Sequence, residues 1–158
     1  MGLLNIGDGD MEVRDMDAAT SLHYTFSVQA GDFNKAGDAS SKVKRILQQI
    51  GAGQAMIRRV AVACYEAEMN VVIHSHGGMV TLDADLKRVV ITVEDEGPGI
   101  EDIDRAMVPG FSTAPDSIRE MGFGAGMGLP NMKNCSSEIH IESSRELGTK
   151  VRMTFENA

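Results

Sequence analysis

Several features that would assign a chain to a specialised class of protein are scarce or missing here. The 158 residues include no tryptophan and only two cysteines, Cys64 and Cys135, which argues against a disulfide framework and for reduced thiols in the cytoplasm. No apolar run reaches the roughly 18 residues that a membrane-spanning helix needs, and the N-terminus lacks the basic and apolar blocks of a secretory signal. The sequence therefore predicts a cytoplasmic protein without a membrane segment.

Basic residues are also fewer than acidic ones. The chain has 15 lysine and arginine residues against 23 aspartate and glutamate residues. A surface that binds nucleic acid carries a basic patch, so we expect no nucleic-acid partner. The length and the 42% hydrophobic content are typical of one globular domain with its own core.

The hydrophobic periodicity predicts an α+β domain. Helices early in the chain and strands that are largely paired later predict a two-layer sandwich, with helices on one face of a mixed sheet. We expect residues 1–20 to be an N-terminal tail or a weakly held segment, and residues 21–158 to form a single domain. The predicted strands cover residues 23–29, 79–84, 88–94, 138–143 and 150–155, and the predicted helices cover 36–50, 54–75, 102–107 and 130–135.

Two polar residues stand out within the long second helix. Glu66 and Asn70 are four positions apart, so their side chains project from one face, and His74 continues the line. Within a mainly apolar helix this stripe indicates a cavity lining, although a solvated face with a chance pattern is the alternative. An amide oxygen is a hard ligand suited to Mg²⁺, and a carboxylate can orient water or accept a hydroxyl proton. The pair therefore suits metal-assisted phosphoryl transfer.

A second pattern is a strand that ends on Asp95 and opens into a turn with Gly97 and Gly99. It places one acceptor against a ligand beside a flexible segment, and a plain Pro-Gly turn is the alternative. Farther on, glycines recur at alternate positions from Gly122 to Gly128, just before a helix. Backbone amides at a helix entry can approach phosphates closely, whereas a flexible linker is the other interpretation.

These motifs, in their order along the chain, resemble the ATP-binding domain shared by DNA gyrase, large heat-shock chaperones, histidine kinases and mismatch-repair ATPases. The resemblance covers about residues 36–156 and also includes Gly148-Thr149 on a closing strand. It implies the Bergerat ATP-binding fold, with ATP and Mg²⁺ as cofactors. The implied role of Glu66 is that of catalytic base, and Asn70 is the implied Mg²⁺ ligand.

The same resemblance implies roles for the remaining motif residues. Asp95 would accept a hydrogen bond from the adenine amino group, with Thr149 nearby through a water. Gly97 and Gly99 would form the hinge of an ATP lid over about residues 100–123. The residues implied to bind phosphate are Gly124, Gly126, Gly128 and Leu129.

Within that superfamily, the small size and the Gly-Met-Gly-Leu-Pro sequence are most similar to stand-alone bacterial anti-sigma factor or switch-protein serine/threonine kinases. The resemblance implies transfer of phosphate to a Ser or Thr of a small partner of the anti-sigma-antagonist type. A sigma factor and a second copy of the chain, as a homodimer, are further candidate partners. The chain departs from the pattern of these kinases in two places. Val71 occupies the position where alanine often follows the Asn. The lid is longer than in the shortest switch kinases, and its segment Pro109-Gly-Phe-Ser-Thr113 is similar to the phenylalanine box of histidine kinases.

Two other functions remain open at this point. One is a nucleotide-dependent binding module that sequesters a sigma factor or another regulator without phosphorylating it. The other is a detached histidine-kinase catalytic domain that acts on a histidine of a separate chain.

Overall fold

The computed structural model describes residues 10–16, 19–85, 87–112, 114, 116 and 127–156. Its helices and strands follow the predicted pattern closely, and the main differences lie near the N-terminus. None of the helices in these ranges is both long and apolar enough to cross a membrane. In chain order the elements are β1 (Asp10–Met16), β2 (Ala19–Val28), α1 (Asp38–Gln49), α2 (Gln54–His74), β3 (Gly78–Ala84), β4 (Arg88–Asp95), α3 (Ile103–Ala106), α4 (Gly128–Cys135), β5 (Glu138–Ser144) and β6 (Gly148–Glu156).

The six strands form one sheet in the order β1-β2-β3-β4-β6-β5. The α+β sandwich is confirmed, but the expectation of a mixed sheet is wrong for the described strands, whose ladders are all antiparallel. The reason is the final hairpin. Its returning strand, β6, pairs with β4, so β5 runs in the same direction as β4 but is one strand removed from it, and no parallel ladder forms.

The N-terminal segment contributes an edge strand to this sheet. We expected a tail or a weakly held segment over residues 1–20, and within it the structure places β1, which pairs antiparallel with β2 from Asp10↔Thr25 to Met16↔Ala19. An edge strand needs only backbone hydrogen bonds to one neighbour, so the weak apolar pattern of this segment gave little signal. Residues 1–9 lie outside the described part of the chain.

Helix α2 is the central element of the helical layer. It is mostly apolar around its circumference, as expected for a helix that packs against the sheet and also against α1 and α4. This packing explains why a polar side chain on α2 must either find a partner or face a cleft. The buried residues of α2 are Met56, Ile57, Val60, Ala63, Cys64, Ala67, Glu68, Met69, Val71 and Val72.

Glu68 is the one charged residue among them, and it is 2% exposed. Helix α1 begins after Gly37, which has no side chain to cap the helix. The Glu68 carboxylate takes that role from the neighbouring helix: Oε2 accepts from the amides of Gly37 at 3.0 Å and Ala39 at 3.1 Å, and Oε1 accepts from the amide of Ser40 at 3.0 Å. A negative charge also suits the positive end of a helix. Glu68 therefore fastens the start of α1 to the middle of α2.

Replacing Glu68 by alanine should lower the free energy of unfolding by about 2 kcal/mol, because three backbone donors lose their acceptor in a buried place. Urea denaturation followed by circular dichroism measures this change. Glu146→Ala is the matched control, since Glu146 is exposed in the β5–β6 turn and should leave the midpoint in place. Equal midpoints for the two variants would contradict the capping role.

Candidate functional site

A cleft of about 1200 Å³ lies between α2 and the segment that follows β4. One wall is a face of α2, and the opposite wall is formed by residues 98–106 together with Phe111 and Ser112. The start of α4 and the start of β6 complete the lining. The predicted site residues that reach this cleft are Glu66, Asn70, Asp95, Gly99, Gly128, Leu129 and Thr149.

At one end of the cleft, the Asp95 carboxylate is held by two backbone amides. Its Oδ1 atom accepts from the amide of Gly97 at 2.8 Å and from the amide of Thr149 at 3.3 Å. Asp95 and Thr149 are also opposite each other in the β4–β6 ladder. Among the described residues both bonds go to Oδ1, so Oδ1 is held in place and Oδ2 is available to accept a hydrogen bond from a ligand.

The β5–β6 turn comes very close to this carboxylate because Gly148 has no side chain. Gly148 has a φ of +81°, and a Cβ atom there would overlap the backbone carbonyl oxygen of Asp95. Both the left-handed conformation and the missing Cβ are thus required at this position. The sequence motif Gly148-Thr149 therefore has a steric reason in addition to its place in the resemblance.

We expect Gly148→Ala to lower the free energy of unfolding by about 1–2 kcal/mol, since alanine is strained at positive φ and would push β6 away from Asp95. Nucleotide affinity should fall with it, because Thr149 would no longer hold the carboxylate. Thermal unfolding and nucleotide titration of the same preparation measure both effects. Gly53→Ala is the control, because an added Cβ at Gly53 meets nothing within 4 Å; comparable losses in the two variants would contradict this account.

The beginning of the predicted lid is attached to β5. Ser143 Oγ accepts from the amide of Ile100 at 2.6 Å and shares a 2.9 Å hydrogen bond with Thr149 Oγ1. Gly99, with a φ of +80°, packs against the backbone of Ser144. The first residues after the predicted hinge are therefore held in place. Sequence reasoning missed Ser143, since one serine in an alternating strand gives no signal.

Two charged side chains stand out in the described part of the lid wall. The Arg105 guanidinium lies 4.6 Å from the centre of the Phe111 ring, a cation–π arrangement. Asp102 accepts from the amide of Arg105 at 3.1 Å and so caps α3. Of the remaining predicted lid, residues 113, 115 and 117–123 lie outside the described part of the chain.

His74, the third polar residue of the α2 stripe, is near the Asp95 end of the cleft. The residue as a whole is exposed, yet its ring lies inside the cleft, and reduced access to water there lowers the pKa of the imidazole while the Asp95 charge opposes that change. At neutral pH the ring therefore favours its uncharged form.

At the other end of the cleft, the first turn of α4 meets Glu66 and Asn70. A Cβ atom on Gly128 would lie 3.3 Å from Asn70 Oδ1 and 3.4 Å from Glu66 Oε2, so glycine permits a close approach of the α4 backbone to both side chains. Leu129 is buried beside this contact. The other two predicted phosphate-binding glycines, Gly124 and Gly126, lie outside the described residues.

The first turn of α4 has few backbone N–H groups that can bind a ligand, and the side chain of the N-cap residue accepts a hydrogen bond from none of them. Met127 at the N-cap makes no side-chain capping bond. Pro130 has no N–H group, and the amide of Asn131 donates to Met127 O at 2.9 Å. The donors of this turn without a bond to another described residue are therefore the amides of Gly128 and Leu129. A helix entry with such donors attracts anionic groups.

One further residue of this region was not found from the sequence. Asn131 Nδ2 donates to Glu66 Oε1 at 3.2 Å, which joins α4 to α2. The two residues are 65 positions apart, so no local spacing reveals the contact. The available signal was the i, i+3 separation of Asn131 from Gly128, which places both on one face of α4.

Comparison with known proteins decides the family. Residues 31–155 match the model of the histidine kinase-like ATPase domain. The chain belongs to the histidine kinase-like ATPase family. Membership of this ATPase family, together with the α+β sandwich, supports the use of ATP by the chain.

Proteins named anti-sigma F factor are similar to this histidine kinase-like ATPase chain. The one from Thermoanaerobacter sp. (strain X514) is 40% identical over 103 residues, covering 62% of this chain and 68% of the relative. The one from Clostridium novyi (strain NT) is 33% identical over 117 residues, covering 70% and 78%. The one from Bacillus subtilis (strain 168) is 31% identical over 118 residues, covering 71% and 77%. The expected resemblance to bacterial anti-sigma factors is thereby confirmed.

Proposed function

We propose that the protein is a Mg²⁺- and ATP-dependent serine/threonine kinase of the anti-sigma regulatory type, which phosphorylates a small partner regulator. The observation that carries the proposal is the close approach of the Gly128 backbone to both Glu66 and Asn70. It brings a helix entry suited to phosphate beside a carboxylate and an amide, in the same cleft that holds Asp95. An extended nucleotide fits this order, with the base at Asp95 and the phosphates at α4.

At the base end, Asp95 Oδ2 would accept a hydrogen bond from the adenine amino group. The amides of Gly97 and Thr149 hold Oδ1, so the acceptor is positioned before the nucleotide arrives. A preorganised acceptor loses little conformational entropy on binding. Thr149 would take part mainly through this bond, since its hydroxyl is engaged with Ser143.

At the phosphate end, the amides of Gly128 and Leu129 would donate to phosphate oxygens. Asn70 fits a Mg²⁺ ion, because its amide oxygen is a hard ligand and lies where the start of α4 approaches α2. When bound there, the ion would neutralise charge on the phosphates. Gly124 and Gly126 would add further amides, as the family resemblance implies.

For the transfer itself, the hydroxyl oxygen of the partner's Ser or Thr attacks the γ-phosphorus atom. Glu66 accepts the hydroxyl proton as the new P–O bond forms, and the bond from the γ-phosphorus to the β–γ bridging oxygen breaks to release ADP. Oε2 is the oxygen suited to this role, since it faces Gly128 while Oε1 is bound to Asn131. The rate gain comes from positioning and electrostatics rather than from a covalent enzyme intermediate.

The direct test uses purified protein, ATP labelled on the γ-phosphate, Mg²⁺ and lysate of the cell from which the protein comes. We expect label on a small acceptor protein with the wild type and only a small residual amount with Glu66→Gln. The absence of a labelled acceptor with wild-type protein, or equal labelling by the two proteins, would contradict the kinase proposal. A homodimer and the cytoplasmic location stay predictions, and sedimentation analysis of the purified protein measures the former.

A second candidate function is a binding module that captures a sigma factor and releases it when the nucleotide state changes. The observation in its favour is the name of the relatives, anti-sigma F factor. Glu66→Gln separates the two functions, because a pure binder should keep its partner affinity and its effect on transcription without Glu66. If the protein instead controls its partner by phosphorylation, Glu66→Gln should lose both phosphate transfer and the effect on transcription.

A further inference from the structure

The contact between Asn131 and Glu66 lies at the point where proton transfer is proposed to occur. Both side chains are half-buried, and the bond from Nδ2 to Oε1 is 3.2 Å long. A carboxylate at the end of a flexible glutamate side chain adopts several rotamers unless a neighbour restrains it. Among the described residues, the hydrogen bond that restrains Glu66 comes from Asn131.

The geometry assigns a separate role to each oxygen of Glu66. Oε1 is occupied by the Asn131 amide, while Oε2 faces Gly128 beside Asn70. The restrained side chain thus presents one oxygen to the place where the γ-phosphate and the acceptor hydroxyl would meet. Helix α4 therefore contributes amides to the phosphates with its first turn and also orients the base on α2.

We propose that Asn131 is a positioning residue that orients Glu66 for proton transfer, an inference that rests on the proposed function. A small error in the position of a reacting group lowers the rate strongly, even when binding is intact. Loss of Asn131 should therefore reduce the rate of phosphate transfer and leave nucleotide affinity unchanged. A merely structural link between α2 and α4 would instead lower stability and affect binding and transfer together.

The kinetic test uses Asn131→Ala and Asn131→Leu, the latter having nearly the same shape but neither an N–H donor nor a charge. The probe is the rate at which label from γ-labelled ATP enters the acceptor protein of the lysate. We expect the maximal rate to fall about tenfold in both variants, which is part of the gain that a general base supplies, with the KM for ATP unchanged. Asn134→Ala, an exposed position of the same helix, is the control and should match the wild type.

A double-mutant cycle shows whether Asn131 acts through Glu66. In the Glu66→Gln background, measured in single-turnover reactions with excess enzyme, Asn131→Ala should cause no additional loss, because the group that it orients is already gone. Independent, additive losses would overturn the proposal. If Glu66→Gln retains full transfer, the proposed function fails. If Glu66→Gln has lost most of its transfer while Asn131→Leu transfers at the wild-type rate, only the role of Asn131 fails.

A spectroscopic measurement tests the contact without any activity. In ¹H–¹⁵N spectra of the free protein, Glu66→Ala should shift the side-chain amide resonances of Asn131 and leave those of Asn134 in place. Unchanged Asn131 resonances would show that the bond is absent in solution and would overturn the proposal even if every variant folds.

Discussion

Asn70→Ala is expected to abolish phosphate transfer, with a loss of about 1000-fold or more. Transfer through a charged transition state depends on groups that hold and neutralise the phosphates, and Asn70 is the residue proposed to hold Mg²⁺ against them. Alanine favours the helix, so α2 should keep its structure. The expected defect is therefore chemical rather than a failure to fold.

Two measurements identify the cause of that loss. Titration with ADP in the absence of Mg²⁺ should give nearly the same affinity for Asn70→Ala and the wild type, since Asp95 and the β6 amide remain. The stimulation of nucleotide binding by Mg²⁺ should be lost in the variant and retained in the Asn134→Ala control. Full transfer activity in Asn70→Ala would contradict the assignment of this residue.

Asp95→Asn is expected to weaken ADP binding by about 10- to 100-fold, the range for losing a hydrogen bond to a charged group. The substitution keeps the shape of the side chain, and an asparagine oxygen in the Oδ1 position can still accept from Gly97 and Thr149. Its amide nitrogen would then occupy the Oδ2 position and face the adenine amino group, so two donors would meet. Calorimetric titration measures the change.

The chemistry of the nucleobase makes the prediction for Asp95→Asn more specific. Guanine carries a carbonyl oxygen where adenine carries its amino group, and an amide nitrogen at position 95 suits that acceptor. The preference for ADP over GDP should therefore shrink in Asp95→Asn. Asp83→Asn is the control. Oδ1 of Asp83 on β3 lies 2.6 Å from Nδ1 of His23 on β2, and Asp83 does not line the cleft. An unaltered preference in Asp95→Asn would contradict the assignment of the adenine end.

The parts of the site that the sequence could predict are those encoded by local spacing. Glu66 and Asn70 share a helix face because they are four residues apart, and Asp95 ends a strand before a glycine turn. These patterns are visible without knowledge of tertiary contacts. The structure places them around one cleft, while their individual roles stay predictions.

The parts that could not be predicted depend on contacts between distant segments. No sequence pattern singles out Glu68, yet it is buried because the start of α1, about thirty residues earlier, supplies three amide donors. The bonds of Asn131 and Ser143 span 65 and 43 residues. The place of β6 between β4 and β5 likewise follows from tertiary pairing, which strand periodicity does not encode.

The chemical nature of the phosphorylated residue tests the central claim most directly. The acceptor labelled by wild-type protein and γ-labelled ATP is treated with acid and then analysed for phosphoamino acids. The kinase account predicts label that survives acid as phosphoserine or phosphothreonine and is absent when Asn70→Ala replaces the wild type. Acid-labile label on a histidine, or label that does not depend on Asn70, would contradict it.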